Sequence, residues 1–173
     1  MNSIDLLELL KASQSEAYLG PQGIKTLTDG KSFEQAQVGL SIDKNGANIA
    51  ANTAGTWQSS WCVIARDTEL GDPYYVDLND EHLTVYTATF CESISQWQSI
   101  LVASTLSGFL ECVALLYKFT EQSQPQFIPD STSIFDLEKL ETFGIQLATI
   151  SENTDFWKSF FISYVEWLQD EHV

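Results

Sequence analysis

Positive charge is what this chain has least of. Lys and Arg together number 8 in 173 residues against 24 Asp and Glu, a formal net charge of −16, and Arg66 is the single arginine. A field of that sign repels nucleic acid and anionic membrane surfaces and draws basic proteins toward it. The few bases are scattered without a patch, so neither nucleic acid nor membrane is an expected partner. The imbalance deepens along the chain: residues 1–60 hold 6 acids and 4 bases, residues 61–118 hold 8 and 2, and residues 119–173 hold 10 and 2. The same charge also serves solubility, because net charge governs solubility and association rather than fold.

Residues that usually carry chemistry are also sparse. The two histidines are His82, within a turn-like stretch, and His172, one residue from the end. Neither stands at a recognised metal-ligand spacing. The three cysteines, Cys62, Cys91 and Cys112, form no CxxC pair, and Cys62 and Cys112 sit in apolar runs where cysteine behaves as a small buried hydrophobe. A reducing compartment suits that usage. There is no GxSxG elbow, P-loop or GxGxxG. The expectation is a non-enzymatic protein without cofactor or metal. No apolar run approaches the ~20 residues needed to span a bilayer. Met1-Asn2-Ser3-Ile4-Asp5 shows neither a basic n-region nor an apolar h-region, so no signal peptide is expected and the expected location is cytoplasmic.

What is present is a globular composition, 44% apolar and 12% aromatic, in a length that suits one domain. Ile4, Leu6, Leu7, Leu9 and Leu10 recur at helical spacing after a capping Ser3, and Gly20-Pro21 reads as the stop of that helix. Residues 20–60 are rich in Gly, Asn, Thr, Gln and Ser, with a short strand expected at Val38–Ile42. Trp61–Ala65, Tyr74–Leu78, Leu83–Phe90 and Trp97–Ala103 read as strands joined by short turns, hence antiparallel. In the third, Val85 and Thr87 should share one face and Tyr86 and Ala88 the other. A helix capped by Ser104 or Thr105 should run to about Phe119, with Gly108 marking a close packing contact. After the proline-bearing stretch 122–129, Ser133 should cap a helix Ile134–Phe143, and Thr154 should open a last helix to about Gln169. The stripe Trp157, Phe160, Phe161, Tyr164 and Leu168 is expected in the core. The order implies an α+β fold, an antiparallel sheet of about five to six strands flanked by helices at both chain ends.

The densest acidic stretch is Asp67 to Glu81, with six carboxylates in fifteen residues. It fails as a calcium loop. A twelve-residue loop begun at Asp67 has Asp72 at the glycine position and Leu78 at the closing glutamate; begun at Asp77 it has His82 and Ala88. As turn chemistry Asp72-Pro73 needs no ligand, since aspartate accepts local backbone hydrogen bonds. As an interface, Asp67, Glu69, Asp72, Tyr75, Asp77, Asp80 and Glu81 are the candidate partner-binding residues, acids at strand ends with a tyrosine anchor among them, and the still more acidic C-terminal third is the alternative working face. Tyr74 and Tyr75, being strand neighbours, must face opposite sides.

The stretch Gly71-Asp72-Pro73-Tyr74-Tyr75-Val76-Asp77-Leu78 resembles the core signature of the SUKH superfamily, the bacterial toxin-immunity proteins related to fungal cell-wall-synthesis regulators. The likeness extends to the tryptophan-bearing run Trp61–Ala65, to Val85-Tyr86, to Trp97 through Val102-Ala103, and to Ser107-Gly108-Phe109-Leu110. It covers residues 57–117, with the leading helix, read as Ile4–Leu19, extending it. The resemblance implies a single domain over residues 1–173, with residues 120–173 a helical C-terminal extension on or beside the core. It also implies a non-enzymatic immunity protein that binds and neutralises a basic, nuclease-like toxin domain. An intracellular scaffold or regulatory module of the same fold, with no toxin partner, is the alternative. A metal-dependent hydrolase using the acidic stretch is a third and weaker reading. Oligomeric state is not legible.

Overall fold

The structure, a computed structural model, describes residues 2–170. Its centre is a six-stranded sheet in which every strand pairs with its sequence neighbour, in the order β1 to β6 and antiparallel throughout. The strands are β1 (Glu16–Leu19), β2 (Gln22–Thr26), β3 (Trp61–Asp67), β4 (Pro73–Asp77), β5 (Val85–Cys91) and β6 (Gln96–Ala103). Five helices, α1 (Ser3–Lys11), α2 (Gly30–Gln37), α3 (Leu106–Thr120), α4 (Leu137–Ser151) and α5 (Thr154–Gln169), complete the expected α+β fold. Four strands lie where the apolar runs place them. Val85 pairs with Val76 and Tyr86 with Tyr75, which gives the expected alternation between faces.

The N-terminal reading needs correction. The first helix is capped by Asn2, not Ser3; the Asn2 carboxamide oxygen accepts from the N–H groups of Ile4 and Asp5 at 3.0 and 2.9 Å. It ends at Lys11, and Glu16–Leu19 is a strand. Gly20-Pro21 is therefore a hairpin turn, with Leu19 paired directly to Gln22. Gly20 has φ +64°, the conformation a two-residue loop needs at its first position, and Pro21 follows without strain. Val38–Ile42 is no strand but a turn around Gly39, held by isolated bridges of Ile42 to Val38 and Asn48.

The segment between α2 and β3 is irregular yet tied down. Trp57, 3% exposed, lies on one sheet face against Trp61, Tyr75 and Trp97, with ring centroids 5.1–5.3 Å apart. Each such aromatic pair adds about 0.5–1.5 kcal/mol beyond area burial. The Gly55 carbonyl accepts from the Trp97 N–H at 2.8 Å, which ties the segment to the β6 edge. Gln37 does the same at β3. Where β2 turns away and β3 bulges between Val63 and Ala65, the Gln37 carboxamide takes the place of a strand neighbour. Its Nε2 donates to Val63 O and its Oε1 accepts from Val63 N, both at 2.9 Å.

The opposite sheet face carries α3 and α5. A fifteen-residue helix is about 22 Å long, close to the roughly 24 Å spanned by six strands. Accordingly α3 packs on β6 near its start and on β1 further along. Thr105 caps it through Gly108 N–H, and a Cβ on Gly108 would lie 2.9 Å from Ile150 O, the close approach expected there. The fourth helix runs Leu137–Ser151 and is capped by Asp136 through Lys139 N–H; Ser133 instead closes a turn with Asp130 and Gln126. Trp157, Phe160, Phe161 and Tyr164 are buried in the core, as expected, while Leu168 is half-buried against it. Both α3 and α5 contact α4, and Ser104 N–H donates to Ser151 O, so the C-terminal helices are fastened to the end of β6.

The Gln37 bridge gives a direct stability test. Gln37→Leu keeps the volume and leaves the buried N–H and C=O of Val63 without partners, so it should cost about 2–6 kcal/mol, at roughly 1–3 kcal/mol per buried group left unsatisfied. Urea unfolding of the variant and its parent measures the difference.

Candidate functional site

Because the strands follow one another up and down, successive turns fall at alternate ends of the sheet. The Asp67–Pro73 turn and the Asp77–Val85 turn therefore lie at opposite ends, separated by β4. The acidic stretch is not one surface. Asp67, Glu69 and Asp72 belong to the end that also holds Gly20-Pro21; Asp77, Asp80 and Glu81 belong to the other.

Several of these acids organise backbone. Asp67 Oδ2 accepts from the N–H groups of Glu69, Leu70 and Gly71. Asp72 Oδ2 accepts from Thr89 Oγ1 at 2.8 Å, and Asp77 Oδ1 from Asn79 N–H at 2.9 Å. Asp80 receives the N–H groups of His82 and Thr84 at 3.1 and 2.7 Å. Hydrogen bonds from the Thr84 side chain and main chain, and from His82 N–H, hold the Asp80 carboxyl below the usual carboxylate range. Glu69 and Glu81 are exposed. Tyr75 is 2% exposed, stacked on Trp61 and Tyr86, with its hydroxyl 2.7 Å from Ser99 Oγ. It is a core residue, not a surface anchor. Its neighbour Tyr74 faces the other way, against Phe109 and Phe156. Burial raises the pKa of both phenols.

At the first end, residues remote in sequence converge. Glu69 lines a depression of about 240 Å³ together with Glu166 and Asp170 from the end of α5, and Pro21, Tyr164 and Trp167 form part of its wall. Gly20 makes this possible: the Tyr164 and Trp167 rings come within 2.9 Å of where its Cβ would be. The lining contains three carboxylates and no base. Among the described residues the ion pair is Lys11 with Glu8, at 2.7 Å, far from this site in sequence. Arg66 donates instead to the carbonyls of Gly71 and Ala36 at 2.8 and 3.1 Å.

Glu166, Trp167 and Asp170 were not among the residues picked out by charge density along the chain. Their signal is periodic: Ser163, Glu166, Trp167 and Asp170 stand at i, i+3, i+4 and i+7, a helix face beside the apolar stripe.

Among the three thiols only Cys91 lies near the surface, where a hydrogen bond with Ser93 Oγ lowers its pKa. Burial pushes the Cys62 and Cys112 thiols up to about 12. His82 is exposed, and His172 lies outside the described residues. Among the described residues no three His, Cys, Asp or Glu side chains gather as a metal site would require. No described helix is long and apolar enough to cross a membrane. Comparison with family models, curated proteins and solved structures returns no match.

The Asp80 geometry sets a pH dependence. A carboxyl depressed in the folded state adds stability above its unfolded pKa of about 3.9, and that stability is lost as pH falls through the folded value. Asp80→Ala should therefore lower stability by about 1 kcal/mol or less at neutral pH. The difference from the parent should shrink below about pH 4, as measured by denaturant unfolding across pH.

Proposed function

We propose that this chain is a non-enzymatic binding protein whose partner is a basic protein, and that it acts as an immunity protein by covering the cationic cleft of a nuclease-like toxin. The observation that carries this reading is the meeting of Glu69 with Glu166 and Asp170 around an aromatic-walled depression that no base lines. Three points support it. The net charge of −16 makes long-range attraction to a basic surface strong at low salt. A phosphate-binding cleft is cationic and offers a complementary surface. Trp167 beside the carboxylates matches the pattern of an aromatic anchor with a charged surround. The resemblance of residues 57–117 to the SUKH superfamily supplies the immunity role, and cytoplasmic action follows from it.

Within this reading the acids divide their work. Glu69, Glu166 and Asp170 face the partner, while Asp67 and Asp72 shape the turn that presents Glu69. Asp77, Asp80 and Glu81, at the far end of the sheet, have no part in the contact.

The test is binding to the protein encoded by the neighbouring gene, which this reading expects to be a basic toxin domain. Association should slow by about 10- to 100-fold as salt rises from about 25 to about 500 mM. The triple variant Glu69→Lys, Glu166→Lys, Asp170→Lys should slow it by at least about tenfold at low salt, whereas Asp77→Lys with Glu81→Lys should matter much less. Stopped-flow association rates read both. A rate indifferent to salt and to the triple reversal would sink the proposal. Capture of a stable housekeeping assembly in place of a toxin would favour the scaffold alternative.

A further inference from the structure

The exposed side chains of the last two helices are mostly polar, as is normal for solvent-facing helices, but three of them are large and apolar. Leu137 and Ile145 on α4 and Ile162 on α5 are 54, 61 and 46% exposed. They flank a groove of about 420 Å³ between the helices, floored by Leu140, Gly144 and Phe161. Gly144 lets the helices close on each other; a Cβ there would lie 3.3 Å from the Phe161 ring. The groove is lined from Leu137 to Ala148 on α4 and from Thr154 to Glu166 on α5, hence about 17 Å or some three turns. Its sparse charge is ordered. Glu141 and Glu166 lie toward the start of α4, and Lys158 lies toward the α4–α5 turn.

From this geometry we infer that the α4–α5 groove is a docking site for one amphipathic, lysine- or arginine-flanked α-helix of a protein partner. Exposed apolar side chains along one line are what a helix with anchors at i, i+3 or i+4, and i+7 requires. Charge decides between this occupant and a second copy of the chain. A two-fold pairing of copies would set Lys158 of each against Glu141 and Glu166 of the other, but two chains of net charge −16 repel one another at long range. A basic-flanked helix meets those carboxylates favourably. Its own dipole fixes direction, because the positive N-terminus sits best beside Glu141 and Glu166 and the C-terminus beside Lys158. The docked helix thus runs parallel to α4. The inference rests on the preceding reading only for the partner's being a basic protein; the site is different, and so is the test.

The probe is a fifteen-residue amphipathic peptide of leucine and lysine. Its controls are a scramble with no apolar face and a leucine–glutamate peptide of the same periodicity. Calorimetry with the full chain should give the leucine–lysine peptide at least about tenfold tighter binding than the scramble, and no binding of the glutamate peptide. Ile145→Asp and Ile162→Asp should each weaken the leucine–lysine peptide at least about tenfold, although each adds negative charge. Glu69→Lys with Asp170→Lys should leave it within about threefold, which separates this site from the acidic depression. Both isoleucines are largely exposed, so circular dichroism should show unchanged folding, and Ile145→Ser gives a second, uncharged version. Equal or tighter binding by Ile145→Asp and Ile162→Asp, or equal binding of the scramble, overturns the inference. So does a dimer in sedimentation that Ile145→Asp dissolves, or Ile145-dependent binding to phosphatidylcholine vesicles.

Discussion

The strict up-and-down order of the six strands is the constraint on which the rest of this molecule depends. Neighbouring strands in sequence are neighbours in space, so every connection between them is local and every turn falls at one of two ends. The two edges, β1 and β6, are then the strands farthest apart, and the chain leaving β6 must recross the whole sheet. A helix of α3's length accomplishes that in one stroke, starting on β6 and finishing beside the β1–β2 hairpin, where Gln122 Nε2 donates to Gly20 O at 2.8 Å. The later helices inherit their placement from that crossing: α5 takes the same sheet face, with Phe156 against Tyr74 of β4, and α4 packs on both α3 and α5.

The same order explains how an acidic surface is made from separate pieces. Turns at alternate ends divide the densest acidic stretch, and only its first half shares an end with Gly20-Pro21. Because Gly20 lacks a side chain, Tyr164 and Trp167 settle on that hairpin and draw the end of α5 toward Glu69. A contrast in sequence between an acidic middle and a more acidic C-terminus is thereby resolved in space, since parts of both line one depression. Charge density along a chain is a poor guide to charge density on a surface whenever strands shorter than the stretch interrupt it.

What was legible in the sequence follows from how local each signal is. Continuous apolar runs such as Trp61–Ala65 and the Thr105 cap of α3 depend on few neighbours and lie where expected; α5 also begins at Thr154, although its cap is Asn153, one residue earlier. Glu16–Leu19 reads as helix from sequence because its composition continues the helix before it, whereas its strand character comes from pairing with Gln22–Lys25. The Ser133 cap lost to Asp136 because a carboxylate was available three residues later, nearer the apolar periodicity. Tyr75 was read as an anchor because a strand flanked by turns normally has one wet face. Here that face is closed by Trp57, from a segment with no periodic signal at all.

That closure bears on where partners are to be sought. With α3 and α5 on one sheet face and α2 and Trp57 on the other, the aromatic middle of the sheet is withdrawn from contact. The β6 edge is also restricted, since Gly55 O takes the Trp97 N–H at one end and Asn153 Nδ2 donates to Leu101 O at the other. A strand-adding partner would find only a short open stretch of backbone there. Recognition is thus pushed outward onto the last helix and what it touches. Two of its faces differ in kind: Ser163, Glu166, Trp167 and Asp170 line the acidic depression, while Ile162 and Val165 line the apolar groove. Glu166 borders both. On the proposed reading, a basic partner held by long-range attraction at the first would have an apolar foothold one helix turn away at the second, which would place steering and anchoring on one continuous surface of α5.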